Sequence, residues 1–217
     1  MMMEKKNDGV SAIICAYNEE KTIANVIQAI SESEMIDEIV VINDGSTDST
    51  DMKIWHISKN IPIKYLHLKK NMGKGYAMAL GAKQASKSIL LFIDADHKVK
   101  DIEFIHQILE PFSNQKNESL MVLGYTTIDM LGLSINPMRV LTGERALFKS
   151  DIEPLYSRMK KSRFGVEILL FLYYKSEGKM LKFIHLKQLK HYTKYYKAPF
   201  IIATKNYILE VLEIVLA

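Results

Sequence analysis

Cysteine is nearly absent: Cys15 stands alone in 217 residues, so no disulfide can form within the chain. Its place inside an apolar run predicts a buried, inert thiol in a reducing compartment. No 18-residue stretch free of charge exists; Val166 to Tyr174 and Tyr207 to Ala217 are too short or carry acids, and no transmembrane helix is expected. The opening Met-Met-Met-Glu-Lys-Lys-Asn-Asp has no apolar signal core and reads as part of a frayed tail over residues 1–9, consistent with a cytoplasmic chain. No Gly-x-Gly-x-x-Gly follows the first apolar run, which excludes a dinucleotide-dependent dehydrogenase. Helix-turn-helix, zinc-finger and RNP-like patterns are missing too, so nucleic acid is not an expected partner. Neither an internal repeat nor a low-complexity linker interrupts the chain.

What is present is enough for one core. With 48% hydrophobic residues, the chain reads as a single domain over residues 10–217, with a first half to residue 100 and a second from 101. The net charge of +4 is unevenly placed, because residues 139–200 hold fourteen Lys and Arg against five acids. That third should attract phosphate or an anionic surface, and peripheral contact with a membrane is compatible with it.

The most informative stretch is Ile89-Leu90-Leu91-Phe92-Ile93 followed by Asp94-Ala95-Asp96-His97. Five consecutive apolar residues predict a strand buried on both faces of a parallel sheet. Asp94 and Asp96, two apart in an extended chain, can point into one crevice at its carboxyl end, where a cation would relieve their repulsion. The plainer alternative is a strand cap followed by a turn.

Other polar clusters also follow strands. Val10 to Ala16 leads into Tyr17-Asn18-Glu19-Glu20 and a helix marked by Ile23, Val26, Ile27 and Ile30. Glu38 to Ile42 ends in Asn43-Asp44-Gly45-Ser46-Thr47-Asp48, and Ile63 to Leu68 in Asn71-Met72-Gly73-Lys74-Gly75 before a helix running to Lys87. Strands alternating with helices predict a doubly wound α/β layer, whose strand-end loops share one crevice. Beyond it the pattern predicts a helix through Ile102, Ile105, Ile108 and Leu109, a strand over Leu120–Tyr125 and a loop over Gly132–Pro137. Thr142–Leu147 reads as a turn opening a short helix with Glu144 near its start, and Phe164-Gly165-Val166-Glu167 as the head of an apolar helix. Lys179–Leu186 is an expected strand, His191–Lys197 a cationic and aromatic flap, and Ala198–Ala217 a closing helix.

Taken in order, these stretches resemble the GT-A glycosyltransferases of family 2, including the dolichol-phosphate mannose synthases, and the related glucosyl-3-phosphoglycerate synthases. The resemblance rests on Ala16-Tyr17-Asn18-Glu19-Glu20, Asn43 to Asp48, Asn71 to Gly75 and Asp94-Ala95-Asp96, and further on Gly143-Glu144-Arg145-Ala146, Gly165-Val166-Glu167 and His191 with Lys194 and Lys197. It implies a mostly parallel, Rossmann-like GT-A sheet flanked by helices, with a C-terminal acceptor-side extension. It also implies transfer of a sugar from a nucleotide donor, a UDP- or GDP-sugar, to a phosphorylated small-molecule or lipid-phosphate acceptor with Mg2+ or Mn2+.

The donor would be held by Ala16, Tyr17, Asn18, Glu19, Asp44, Gly73, Lys74, Asp94, Ala95 and Asp96, with Lys194 and Lys197 closing over it. Tyr17 would stack on the base and Asp44 bond the ribose side. Asp96 and His191 would ligate the metal, Gly143, Arg145 and Glu167 would meet the acceptor, and Glu167 would be the base for a hydroxyl acceptor. Two departures stand out: Cys15 where the family commonly has proline, and Asn43 where aspartate is frequent. The competing readings are a catalytically silent sugar-nucleotide-binding or partner protein and a nucleotidyltransferase. The chain could act alone or as a homodimer.

Overall fold

The computed structural model describes residues 9–97, 102–113, 119–126, 128–130, 133–135 and 139–186. The tail before residue 9, the His191–Lys197 flap with Lys194 and Lys197, and the expected closing helix lie outside the described residues.

Four strands, β1 (Val10–Ala16), β2 (Glu38–Asn43), β3 (Lys64–His67) and β4 (Ile89–Asp94), alternate with α1 (Ile23–Ser31), α2 (Thr50–Ile57) and α3 (Lys74–Gln84). The chain continues through α4 (Glu103–Ser113), β5 (Leu120–Tyr125), β6 (Ile128–Met130), β7 (Leu133–Ile135) and β8 (Arg145–Phe148). It then runs through α5 (Lys149–Ile152), α6 (Tyr156–Lys161), α7 (Val166–Ser176) and β9 (Met180–His185). Seven strands form one sheet in the order β3-β2-β1-β4-β8-β5-β9, and β6 and β7 pair apart from it. β8 runs antiparallel to β4 and β5, and every other pairing in the large sheet is parallel.

Alternation of side chains along the strands builds a core on each face. Ile14 of β1 and Leu91 of β4 meet α1 and α4, whereas Ile13 and Leu90 meet α3 and α7. α1 buries Ile23, Val26, Ile27 and Ile30, the helical spacing read from the sequence. Burying one such aliphatic side chain stabilises the fold by roughly 1.5–3 kcal/mol, so these two layers dominate the energetics.

Two expectations are corrected. Thr142–Leu147, read as a turn opening a short helix, instead runs into strand β8 at Arg145, because Ala146 and Leu147 are wholly buried between β4 and β5 and only an extended backbone satisfies both neighbours' amides. The Gly132–Pro137 loop contains β7, whose partner β6 closes a small antiparallel ribbon.

The position of the crevice follows from the strand order. β1 feeds β2 on one side, and after β3 the chain returns to add β4 on the other, so β1 and β4 flank the point where the winding reverses. Cys15 pairs with Asp94 across that boundary. Loops diverge there and leave a cleft at the strands' carboxyl ends.

Candidate active site

Two loops form one wall. Asn18 adopts a left-handed φ of 57°, and its amide donates to Ser46 Oγ at 3.0 Å while its Oδ1 accepts from the Thr47 amide at 2.9 Å. The Glu19 amide donates to Thr50 Oγ1 at 2.8 Å, and the Ser49 amide to Glu20 Oε2 at 3.0 Å. These bonds spend the polar groups of Asn18 and Ser46 on holding the loops together, and Tyr17 is left 45% exposed above them. Asn43, a departure from the family pattern, is fully buried, donating to Tyr65 Oη and accepting from the Ser46 amide.

Asp44 has a different surrounding from the one expected. Its carboxylate accepts from the amides of Met72 at 2.7 Å and Gly73 at 2.9 Å, which pins the third loop, and only 4% of the residue is exposed. Burial raises its carboxyl above the usual range, with the two amides and the nearby Arg163 charge pulling partly back.

The floor is made of charges. Lys74, in the first turn of α3, reaches across to Asp94 Oδ1 at 2.7 Å and Glu167 Oε1 at 2.5 Å. Burial works against its charge, but the two carboxylates outweigh burial and hold its pKa well above normal. Glu167 stands in the first turn of α7 and is 2% exposed, and its contact with Lys74 turns the start of that helix toward the crevice. Lys74 thus joins three segments that are distant in the chain.

Behind Asp94 lies a second pair that the sequence reading did not name. His97 Nε2 contacts Glu144 Oε1, and both residues are fully buried; Thr142 Oγ1 donates to Glu144 Oε2 at 2.8 Å. Burial opposes a charge on His97, yet Glu144, with Asp94 and Asp96 further off, pushes its pKa up to about 9. The clue was a histidine directly after the Asp-x-Asp, invisible as a partner for Glu144 until β8 brings residue 144 beside β4. Gly143 is required there, since a Cβ on it would fall 2.1 Å from Asp94 Oδ2.

Arg145, expected to hold an acceptor phosphate, is instead fully buried and donates to the carbonyls of Thr142 and Glu167. In this arrangement it positions Glu167 and the Gly143 loop. Asp94, His97 and Glu144 each offer one ligand atom, all within 4.8 Å of one another, and the charge of Asp96 acts on His97. The sequence reading paired Asp96 with His191, which lies outside the described residues. Cys15, between Asp94 and Asp44, is held as a thiol by burial, which pushes its pKa up to about 12.

The crevice thus holds a helix-borne lysine, the Asp-x-Asp and a buried glutamate. The sequence model of glycosyl transferase family 2 matches residues 11–139, more than half of the chain. The chain belongs to family 2 of the glycosyltransferases.

The relatives and solved structures that this family 2 glycosyltransferase matches agree with the assignment. It is 36% identical over 95 residues to poly-beta-1,6-N-acetyl-D-glucosamine synthase of Staphylococcus epidermidis, covering 43% of this chain and 23% of that protein. The Staphylococcus aureus protein of the same name is 33% identical over 111 residues, 49% of this chain and 26% of that one. The chain therefore spans about a quarter of the length of these curated relatives. Glucosyl-3-phosphoglycerate synthase of Mycobacterium tuberculosis, crystallised with Mn2+ and UDP-glucose, superposes with a TM-score of 0.70 at 20% identity, over 94% of this chain and 78% of that one. Its complex with phosphoglyceric acid gives 0.66 at 22%, over 84% and 71%. At that identity the likeness establishes the GT-A fold, as the sequence motifs predicted.

Proposed function

We propose that this family 2 enzyme transfers a sugar from a nucleoside diphosphate donor to an acceptor hydroxyl or phosphate, with a divalent cation bound at the Asp-x-Asp. The observation that carries the reading is the convergence of Lys74, Asp94 and Glu167 at the β1/β4 switch point. Tyr17, exposed beside the first loop, would stack on the base. A carboxylate and imidazole set formed by Asp94, His97 and Glu144, next to Asp96 in the Asp-x-Asp, suits Mg2+ or Mn2+. When bound, such an ion supplies Lewis-acid stabilisation to the departing diphosphate.

The chain's own residues account for the rest. Displacement forms a bond from the acceptor oxygen to the anomeric carbon as the bond to the diphosphate oxygen breaks, so no protein nucleophile is required. A hydroxyl acceptor must lose a proton, and Glu167 Oε1 is the candidate base. In this state it is held by Lys74, so movement of the lysine toward the diphosphate frees the carboxylate at the moment it is needed. Arg145 keeps the Glu167 backbone in place.

The acceptor has two supported classes. Phosphoglyceric acid in the mycobacterial structure supports a phosphorylated small molecule, with the basic C-terminal third as its attractant. The staphylococcal synthases support a sugar hydroxyl.

The test is a thermal-shift panel of UDP, GDP, CDP and dTDP with Mn2+, Mg2+ or EDTA. A metal-dependent rise with one nucleotide is expected, because a ligand that binds only the folded state stabilises it by mass action. No rise with any of them would overturn the reading in favour of a silent scaffold.

A further inference from the structure

The elbow between α6 and α7 carries a cation that the scheme above does not use. Arg163 has a φ of 48°, in the left-handed region that L residues with side chains avoid. The cause lies in what it packs against. Gly73, at the start of α3 with a φ of 94°, lies so near that a Cβ on it would be 3.3 Å from Arg163 Cα and 3.5 Å from its Cγ. A Cβ on Gly75 would fall 2.3 Å from the Met159 carbonyl oxygen and 2.5 Å from Ser162 Oγ. Two glycines thus let the elbow lie directly on the first turn of α3, the turn that carries Lys74.

The side chain placed there is exposed; its charge reaches the Asp44 carboxyl, but among the described residues no carboxylate lies within ion-pair distance of its guanidinium. Lys74 is held by Asp94 and Glu167 in this state, and its single charge does not balance both. Asp94 and Glu167 at the floor, with Asp96 beside them and Glu144 buried behind Asp94, give the crevice an excess of carboxylates, so positive charge at the rim adds to what a bound cation would neutralise when a nucleoside diphosphate arrives. The first turn of a helix favours anions, and a guanidinium offers phosphate a planar fork of donors.

We propose that Arg163 clamps the donor's diphosphate against the first turn of α3. The inference rests on the nucleotide-sugar reading above. It assigns the strained elbow a purpose: a backbone conformation that glycine would adopt more easily is occupied by arginine because the charge is wanted at that place.

The left-handed φ makes the test selective. Arg163→Gly removes the charge at a position where glycine is at ease, so the unliganded variant should melt no lower than wild type. Its affinity, measured by calorimetry with Mn2+ and whichever of the four nucleoside diphosphates stabilises wild type, should fall about ten- to a hundredfold, the range for a charge-assisted hydrogen bond. Arg163→Lys should recover part of the loss. Affinity of Arg163→Gly within twofold of wild type would overturn the inference and leave the nucleotide-sugar reading standing. A loss that Arg163→Lys does not recover in part, or that comes with a lower unliganded melting point, would overturn it in favour of a structural role for the elbow. Failure of wild type to bind any of the nucleotides would remove the reading on which the inference rests.

Discussion

Two buried charge clusters, one at each end of the sheet, share almost the same ingredients and differ in how they are balanced. At the amino-terminal end of β5 and β9, the carboxylate of Asp151 accepts from Ser119 Oγ at 2.6 Å, Tyr174 Oη at 2.7 Å and Lys179 Nζ at 2.7 Å. One acid meets three donors, and nothing more is asked of the site. At the carboxyl end the ratio is inverted: one lysine is shared between Asp94 and Glu167, and His97 alone meets Glu144, with the charges of Asp94 and Asp96 also acting on it. A buried ion cluster whose lone pairs are all filled holds a fold together, whereas one with carboxylates in excess is prepared for a cation and its ligand.

The sharpest way to separate the two clusters is to cut one acid in each. Glu167→Gln should lower turnover with a hydroxyl acceptor about 10²- to 10⁴-fold, the usual share of a general base, with the melting point nearly unchanged. Steady-state rates with the donor identified by the nucleotide panel check it; a phosphate acceptor, which needs no base, would show a much smaller loss. Asp151→Ala should do the opposite. It strands Lys179 and the Tyr174 hydroxyl in the interior and should cost about 3–5 kcal/mol of stability by denaturant unfolding, with nucleotide affinity retained in whatever remains folded.

A smaller effect is expected where the crevice is tightest. Gly143→Ala places a methyl group against the Asp94 carboxylate, and displacement of that carboxylate from Lys74 should weaken metal-dependent nucleotide binding roughly tenfold, comparable to losing one hydrogen bond to a charged group.

The least effect should come from Glu38, on the same edge of the sheet as Asp151. Burial favours its neutral form, but Lys64, Ser11 and Ser86 outweigh burial and hold its carboxyl at about 2. A carboxyl depressed in the folded state adds stability above its unfolded value of about 4.3, and this is lost as pH falls toward 2. The wild-type melting point should therefore drop more than that of Glu38→Gln across this window, by a few degrees in parallel scans, as expected for a chain of this size.

Much of the crevice was legible because its residues sit in contiguous runs. Asp94 and Asp96 end an apolar strand, Lys74 opens a helix, and Tyr17 to Glu20 follow β1, each placed by the rule that loops at parallel strand ends converge. His97 and Glu144 were not legible as a pair, because 47 residues separate them and residue 144 was assigned to a helix. Arg145 shows the opposite failure. A conspicuous arginine in an acceptor motif suggests a phosphate ligand, yet it is turned inward onto two carbonyls.

Composition and periodicity by themselves determined the α/β class, the succession of the first four strands along the chain and the strand ends at which polar residues gather, because local apolar spacing reports burial directly. Which charges meet was decided by tertiary structure alone. The antiparallel insertion of β8 between β4 and β5 brings Gly143 and Glu144 onto Asp94 and His97, and the packing of the α6 elbow on Gly73 and Gly75 brings Arg163 to the first turn of α3. Both depend on contacts between segments far apart in the chain, and no short-range pattern encodes the distance between two such side chains.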